Sequence, residues 1–272
     1  MSAPRSVVKV VRGTKQFDGA GVRLCRSIGS GALRNLDPFL MLDEIKLPAD
    51  QATAGFPSHP HRGFETCSIM LTGAMEHRDS YGNHGVIRDG GVQWMTAGRG
   101  IIHSEMPKVT TGMLHGFQLW INLPAKDKMV KPRYQDLQAA DIPVVEGAGH
   151  SVRVMAGELE GARGPLTLRN PGTLLDVRLE AGAEWSADID PAWNGFAYHL
   201  FVWGNDGATV TAKAAPSAPL KFLMAFGKPI GEPIVQYGPF VMNSELEIQQ
   251  AFADYQSGAL QNPNDDVWAA EE

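Results

Sequence analysis

Ser58-His59-Pro60-His61-Arg62-Gly63 and, further along, Gly100-Ile101-Ile102-His103-Ser104-Glu105-Met106-Pro107 each carry two metal-ligand side chains two residues apart. In a β-strand alternate side chains point to the same face. His59 and His61 therefore face one way together, and so do His103 and Glu105. If the two strands face each other across a barrel, three imidazoles and one carboxylate converge on a point. That is a metal site with room for chemistry. Pro57 and Pro60 restrict the chain around the first pair, and Gly98 and Gly100 supply a tight turn into the second.

Outward from these stretches, 30 glycines and 18 prolines cut the chain into short apolar or alternating segments. Thr66–Leu71 runs into Thr72-Gly73, and Gly116–Leu123 runs into Pro124. Turn signals such as Tyr81-Gly82-Asn83 and Asp89-Gly90-Gly91 recur at intervals that suit a sandwich or barrel. Leu174–Leu179 and Ala197–Trp203 repeat the style in the second half. Long helical periodicity is nearly absent; the clearest exception is Ser244–Tyr255, where Ser244 is an N-cap, Glu247 stands in capping-box position and Leu246, Ile248, Ala251, Phe252 and Tyr255 include helical spacings. A shorter helix is predicted over Tyr134–Ala140. The stretch from Pro124 to about Gly149 reads as a linker, which divides the chain into an N-terminal unit over residues 1–135 and a C-terminal unit over 136–272. The polar, acidic tail from Asn262 to Glu272 is expected to fray.

The bulk properties exclude several function classes. A net charge of −6 argues against broad binding to nucleic acid or to an anionic membrane surface, though not against a protein partner. No apolar run is long enough for a membrane span, and the N-terminus has no apolar signal core. Cys25 and Cys67, the only two cysteines, form no Cys-x-x-Cys pair and read as buried reduced thiols. A cytoplasmic monomer is the expectation.

Mixed imidazole and carboxylate donors suit iron, nickel, copper, manganese, cobalt or zinc. Four protein ligands on an octahedral ion leave two positions for water, dioxygen or substrate. A closed structural zinc site more often uses cysteine, and neither cysteine stands at ligand spacing.

The stretch from Phe56 to Pro107 resembles the metal-binding half of the pirin family, a branch of the cupin superfamily. The matching residues are Ser58–Thr66, Asp89–Gly98 and Gly100–Glu105, and the likeness continues in Leu119–Pro124 and Gly227–Asn243. It covers most of the chain. It implies an all-β bicupin fold of two jelly-roll barrels, with His59, His61, His103 and Glu105 as ligands of a mononuclear Fe(2+) in the N-terminal barrel alone. Two activities are implied: quercetin 2,3-dioxygenase chemistry on a flavonol and dioxygen, or transcriptional co-regulation through a partner protein. In the first, Glu105 doubles as the catalytic base. An isomerase or lyase could use the same ligands without dioxygen.

Glu65 competes for the carboxylate role, because it shares strand parity with His61 and the wider cupin motif often takes its glutamate from there. The pirin pattern favours Glu105 and leaves Glu65 to pair with Arg62 or Arg99. Sliding the second half onto the first sets Asp190, Ala192, Glu232 and Ile234 against the four ligands, and no ligand set survives. His199 reads as a packed or surface residue, His77 and Asp79 as a hairpin-edge pair, and His84 as a turn residue. His115 is a candidate to support a ligand from behind. The Gly98-Arg99-Gly100 run reads as a turn rather than a phosphate loop. Phe56, Phe64, Met70 and Trp94 are candidate pocket walls or ordinary core.

Overall fold

The structure is a computed structural model, and it describes residues 3–198, 200–262 and 264. His199 and nearly all of the tail fall outside the described residues.

From the N-terminus the strands are β1 (Val7–Val10), β2 (Thr14–Asp18), β3 (Val22–Ile28), β4 (Phe39–Pro48), β5 (Phe56–His61), β6 (Phe64–Thr72), β7 (Met75–Asp79), β8 (His84–Ile87), β9 (Val92–Thr96), β10 (Ile101–Pro107), β11 (Met113–Asn122) and β12 (Arg133–Leu137). Seven of them form one antiparallel sheet in the order β12-β9-β6-β11-β4-β3-β2, and β5-β10-β7-β8 form a smaller sheet. Val22, Leu24, Ile45, Met70, Met75, Ile87 and Leu114 fill part of the space between them. A second seven-stranded sheet runs in the order Val7–Val10, Phe201–Trp203, Asn194–Ala197, Leu220–Gly227, Gly172–Leu179, His150–Ala156 and Val144–Gly147. Its companion is the antiparallel pair Glu184–Asp188 and Thr209–Lys213, whose Trp185 and Val210 pack with Val152 and Phe222. These are two jelly-roll cupin units of an all-β, bicupin chain. Among the described residues no hydrogen-bonded ladder closes into a ring.

The two large sheets pack back to back. Alternation on β6 sends Cys67 and Ile69 into this shared layer, where they meet Trp94, Leu119, Leu174, Phe196 and Leu223. The same alternation sends Thr66, Ser68 and Met70 into the first unit. The chain crosses between units at both ends. β1 is added to the edge of the second large sheet beside Phe201–Trp203, while the hairpin Val235–Tyr237/Phe240–Met242 and the helix α1 (Glu245–Ser257) return to pack on the first unit.

Three expectations need correction. Arg133–Leu137 is a strand, not a helix, because it completes the edge of β9 with Tyr134 opposite Met95 and buried among Met95, Ala97 and Ile101. The 124–149 stretch is structured: it holds β12, the strand Val144–Gly147 and the short 3-10 turns Ala125–Asp127 and Ala139–Asp141, and Lys128 within it is fully buried. Ala197–Trp203 is two strands rather than one. The chain turns after Ala197, with Leu200 at φ +46, so that Phe201–Trp203 pairs back on Asn194–Ala197. No glycine or proline marks that turn.

The C-terminal helix forms as its capping residues predict. Ser244 Oγ accepts from the Glu247 N–H at 3.3 Å, and the Glu247 carboxylate in turn accepts from the Asn243 N–H and the Ser244 hydroxyl. Gly258 ends it at φ +77. Ile248 and Ala251 are buried, whereas Leu246 is exposed. Among the described residues no helix is long and apolar enough to cross a membrane. Cys25 and Cys67 are both free thiols, the second fully buried and the first half-buried.

Candidate metal centre

β5 and β10 do not face each other across a barrel; they are hydrogen-bonded neighbours in the small sheet. His59 stands directly opposite His103, and His61 opposite Ile101. Directly paired residues of antiparallel strands project to the same face, so His59, His61 and His103 converge as a cross-strand and a diagonal neighbour. Their ring centroids lie 4.5–5.0 Å apart. One ligand nitrogen from each falls within 4.8 Å of the others, the one such group among the described residues.

His61 and His103 are biased towards the neutral, ligand form of the imidazole. His59 Nδ1 lies 2.7 Å from the Pro57 carbonyl, which can only accept, so Nδ1 carries the proton and Nε2 presents a lone pair. That Nε2 is 2.9 Å from His61 Nε2. Burial, then the neighbouring His59, pulls the His61 pKa well below the ordinary imidazole value, against the opposing Pro239 carbonyl. His103 is lowered by burial and then by His61, His59 and His77. Among the described residues neither ring nitrogen of His103 has a hydrogen-bond partner, although the residue is buried. An unsatisfied buried polar atom costs about 1–3 kcal/mol. A divalent cation among the three rings relieves that cost, so the donor set fits a metal ion.

Glu105 is buried on the same cavity wall as His59 and His61 but is not one of the 4.8 Å group. A bulge between His103 and Glu105 shifts its register, so it sits opposite Phe56 on β5 and His77 on β7. Ser68 Oγ lies 3.0 Å from Glu105 Oε1 and 2.5 Å from Gln118 Oε1, and the Gln118 amide donates to Glu105 Oε2 at 3.4 Å.

Glu65 is elsewhere. The Arg62–Gly63 turn between β5 and β6, with Gly63 at φ +88, resets the alternation. A Cβ on Gly63 would lie 2.0 Å from the Val241 carbonyl oxygen, so no other residue fits without displacement. Beyond the turn Glu65 shares the face of Cys67 and Ile69 and points into the layer between the units. There it accepts a 2.6 Å bond from Thr96, and burial raises its pKa. Its expected partner Arg62 is engaged instead by Asp254 of α1 at 2.7 Å and by the Arg99 carbonyl.

The remaining histidines divide. His77 is buried and not an edge residue; its Nε2 meets Asp136 at 3.0 Å, and its ring packs 5.1 Å from Tyr134. Asp79 does stay at the hairpin, accepting from the Tyr81 and Asn83 N–H groups. His84 begins β8, exposed, and pairs with Glu76 at 2.8 Å. His115 supports no ligand; it bonds Glu44 at 2.9 Å, and Glu44 also accepts from the Tyr198 hydroxyl at 2.6 Å. Glu232 is not on a second-unit strand and accepts from the Ala125 N–H.

His59 and His61, with Glu105, line a cavity of about 790 Å³. Of the four predicted wall residues only Phe56 lines it. Phe64 packs behind His61 and Trp120, Met70 belongs to the first-unit core, and Trp94 lies in the layer between the units. Gln118, Trp120 and Pro239 line the cavity without having been predicted. Trp120 sits edge-on to His61 at 5.2 Å. Gln118 and Trp120 alternate with buried Leu119 and Ile121 on β11, a pattern visible in the sequence. Pro239 could not be found that way, because it arrives from the returning C-terminal hairpin.

Residues 21–121 match the Pirin family and residues 197–261 the Pirin C-terminal cupin domain. A pirin-like protein of Solanum lycopersicum is 49% identical, covering 94% of this chain and 93% of its own. Pirin of Homo sapiens is 40% identical, with 94% of both chains covered. The crystal structure of a quercetin 2,3-dioxygenase from Acinetobacter baumannii superposes with a TM-score of 0.86 at 30% identity, over 96% of this chain and all of that one. With both cupin units matched and full-length relatives at this identity, the chain belongs to the pirin family.

Proposed function

We propose that His59, His61, His103 and Glu105 hold one divalent metal ion, iron by preference over nickel, copper, manganese, cobalt or zinc, and that the protein is a dioxygenase opening flavonol-type substrates such as quercetin. The convergence of three imidazoles, two of them on the wall of a large cavity, carries this reading. The Acinetobacter baumannii quercetin 2,3-dioxygenase supports it by likeness. When bound, the metal supplies Lewis-acid polarisation of an enolic hydroxyl and a redox-active centre for dioxygen chemistry.

The chain's own residues do the rest. Phe56, Leu40, Trp120 and Pro239 give the cavity apolar surfaces that orient a planar aromatic and exclude water. Ser68 and Gln118 fix the Glu105 carboxylate. Glu105 Oε2, held only by the long Gln118 contact, is the atom left to accept the substrate's hydroxyl proton.

Dioxygen uptake with quercetin, on protein loaded anaerobically with defined divalent metals, tests the proposal. Metal-dependent uptake is expected, falling to the metal-free background in His61→Ala. No uptake by well-loaded protein overturns it and favours a partner-binding role without turnover. Loss of quercetin without uptake of dioxygen points instead to an isomerase or lyase.

A further inference from the structure

The charges on the cavity wall are unevenly matched. Three acids, Asp18, Asp43 and Glu105, and two arginines, Arg26 and Arg34, line it. Arg26 donates to both oxygens of Asp43, at 2.8 and 2.6 Å, and to Asp18 at 2.8 Å. Ser68 and Gln118 hold Glu105. Arg34 is exposed and makes no hydrogen bond or ion pair with any described residue.

Its place is nevertheless built. The 29–33 turn closes through the Gly29 N–H to Leu33 carbonyl bond at 2.9 Å and the reciprocal Ser30–Leu33 pair at 3.2 Å. Leu33 is packed against the core between the two large sheets. The backbone that carries Arg34 is thus anchored on its N-terminal side, and Arg34 lines the same cavity as His59 and His61. Once a divalent ion occupies the imidazoles, cationic charge on the wall exceeds acidic charge.

We propose that the cavity takes a planar enolic aromatic that is itself an anion, and that Arg34 holds its carboxylate or sulfonate while the enolic oxygens face the histidines. A cavity of about 790 Å³ has room for such a ligand. Guanidinium presents paired N–H donors that match a carboxylate or sulfonate edge, whereas a lysine ammonium is a point charge. This rests on the reading of the cavity as a substrate site, and it narrows the substrate class within that reading.

The matched probes are quercetin and quercetin 5′-sulfonate, which share a chelating head and differ in one anionic group. Binding to the metal-loaded protein is followed by tryptophan fluorescence quenching, without turnover. Wild-type protein is expected to bind the sulfonate about fivefold more tightly, the scale of a solvent-accessible ion pair, and the preference should shrink in high salt. Arg34→Gln should level the two ligands, and Arg34→Lys should keep part of the preference. Equal binding of both probes by wild-type protein, or a preference that survives Arg34→Gln, overturns the proposal and leaves the flavonol reading intact. Failure of wild-type protein to bind either probe overturns the flavonol reading along with it.

Discussion

At the scale of single residues, the centre depends on small choices of proton and partner. The Pro57 carbonyl fixes the tautomer of His59, and Ser68 and Gln118 fix the carboxylate of Glu105. Groups that orient a metal ligand typically change metal affinity by about 10–100-fold when removed. Ser68→Ala and Gln118→Ala are therefore each expected to weaken Co(II) binding about tenfold, measured by chelator competition, with a changed visible spectrum of the bound ion. In a Glu105→Gln background the same substitutions should have little further effect, because the carboxylate they orient is gone. The histidines were legible as residues of one face. The choice between Glu105 and Glu65 was not legible from parity, because the Gly63 turn resets the alternation that set Glu65 with His61.

At the scale of elements, two neighbouring strands and a returning segment build the site. β5 and β10 bring the rings together by direct pairing, and the C-terminal hairpin and α1 then lock the turn that follows His61. Lys128 Nζ ties that turn down by donating to the carbonyls of Gly63 and Val241 and to Asn122 Oδ1. Burial lowers the Lys128 pKa to about 8. Arg62, nearly fully buried, is held by Asp254. Asp254→Ala leaves that guanidinium without its counter-ion, an expected loss of about 2 kcal/mol given that Asp254 itself is partly exposed. Thermal unfolding should show it as a drop of about 5 °C, with Asp254→Asn, which keeps an acceptor oxygen, recovering part of it. α1 was readable from Ser244 and Glu247 because capping is local chemistry. β12 was not, because its strand state comes from the open edge of β9.

At the scale of the whole molecule, the back-to-back sheets join the two units through a wide apolar layer with a few polar ties. Glu44 on β4 accepts from His115 in its own sheet and from Tyr198 in the other unit. Burial pushes the Glu44 carboxyl up, but the bonds from His115 and Tyr198 outweigh it and leave its pKa below the ordinary glutamate value. The folded state then holds its proton less readily than the unfolded chain does. The stability Glu44 contributes is therefore present above the unfolded pKa and lost as pH falls through the folded one. Glu44→Gln should cost about 1 kcal/mol at neutral pH, read by urea denaturation, and the difference from wild type should fade as the pH falls through and below the ordinary glutamate range.

The sequence by itself determined the all-β pattern, the capped C-terminal helix and the shared face of His59 with His61, since alternation and capping act over a few residues. Tertiary structure alone decided that β5 and β10 are neighbours and that Glu65 faces away from the cavity. It also decided that Asp254 and Pro239 travel back from the far end of the chain to hold Arg62, the residue after His61. Those outcomes depend on which sheet edges are left open and which backbones approach Gly63. Such contacts join residues far apart in sequence, and no local periodicity records them.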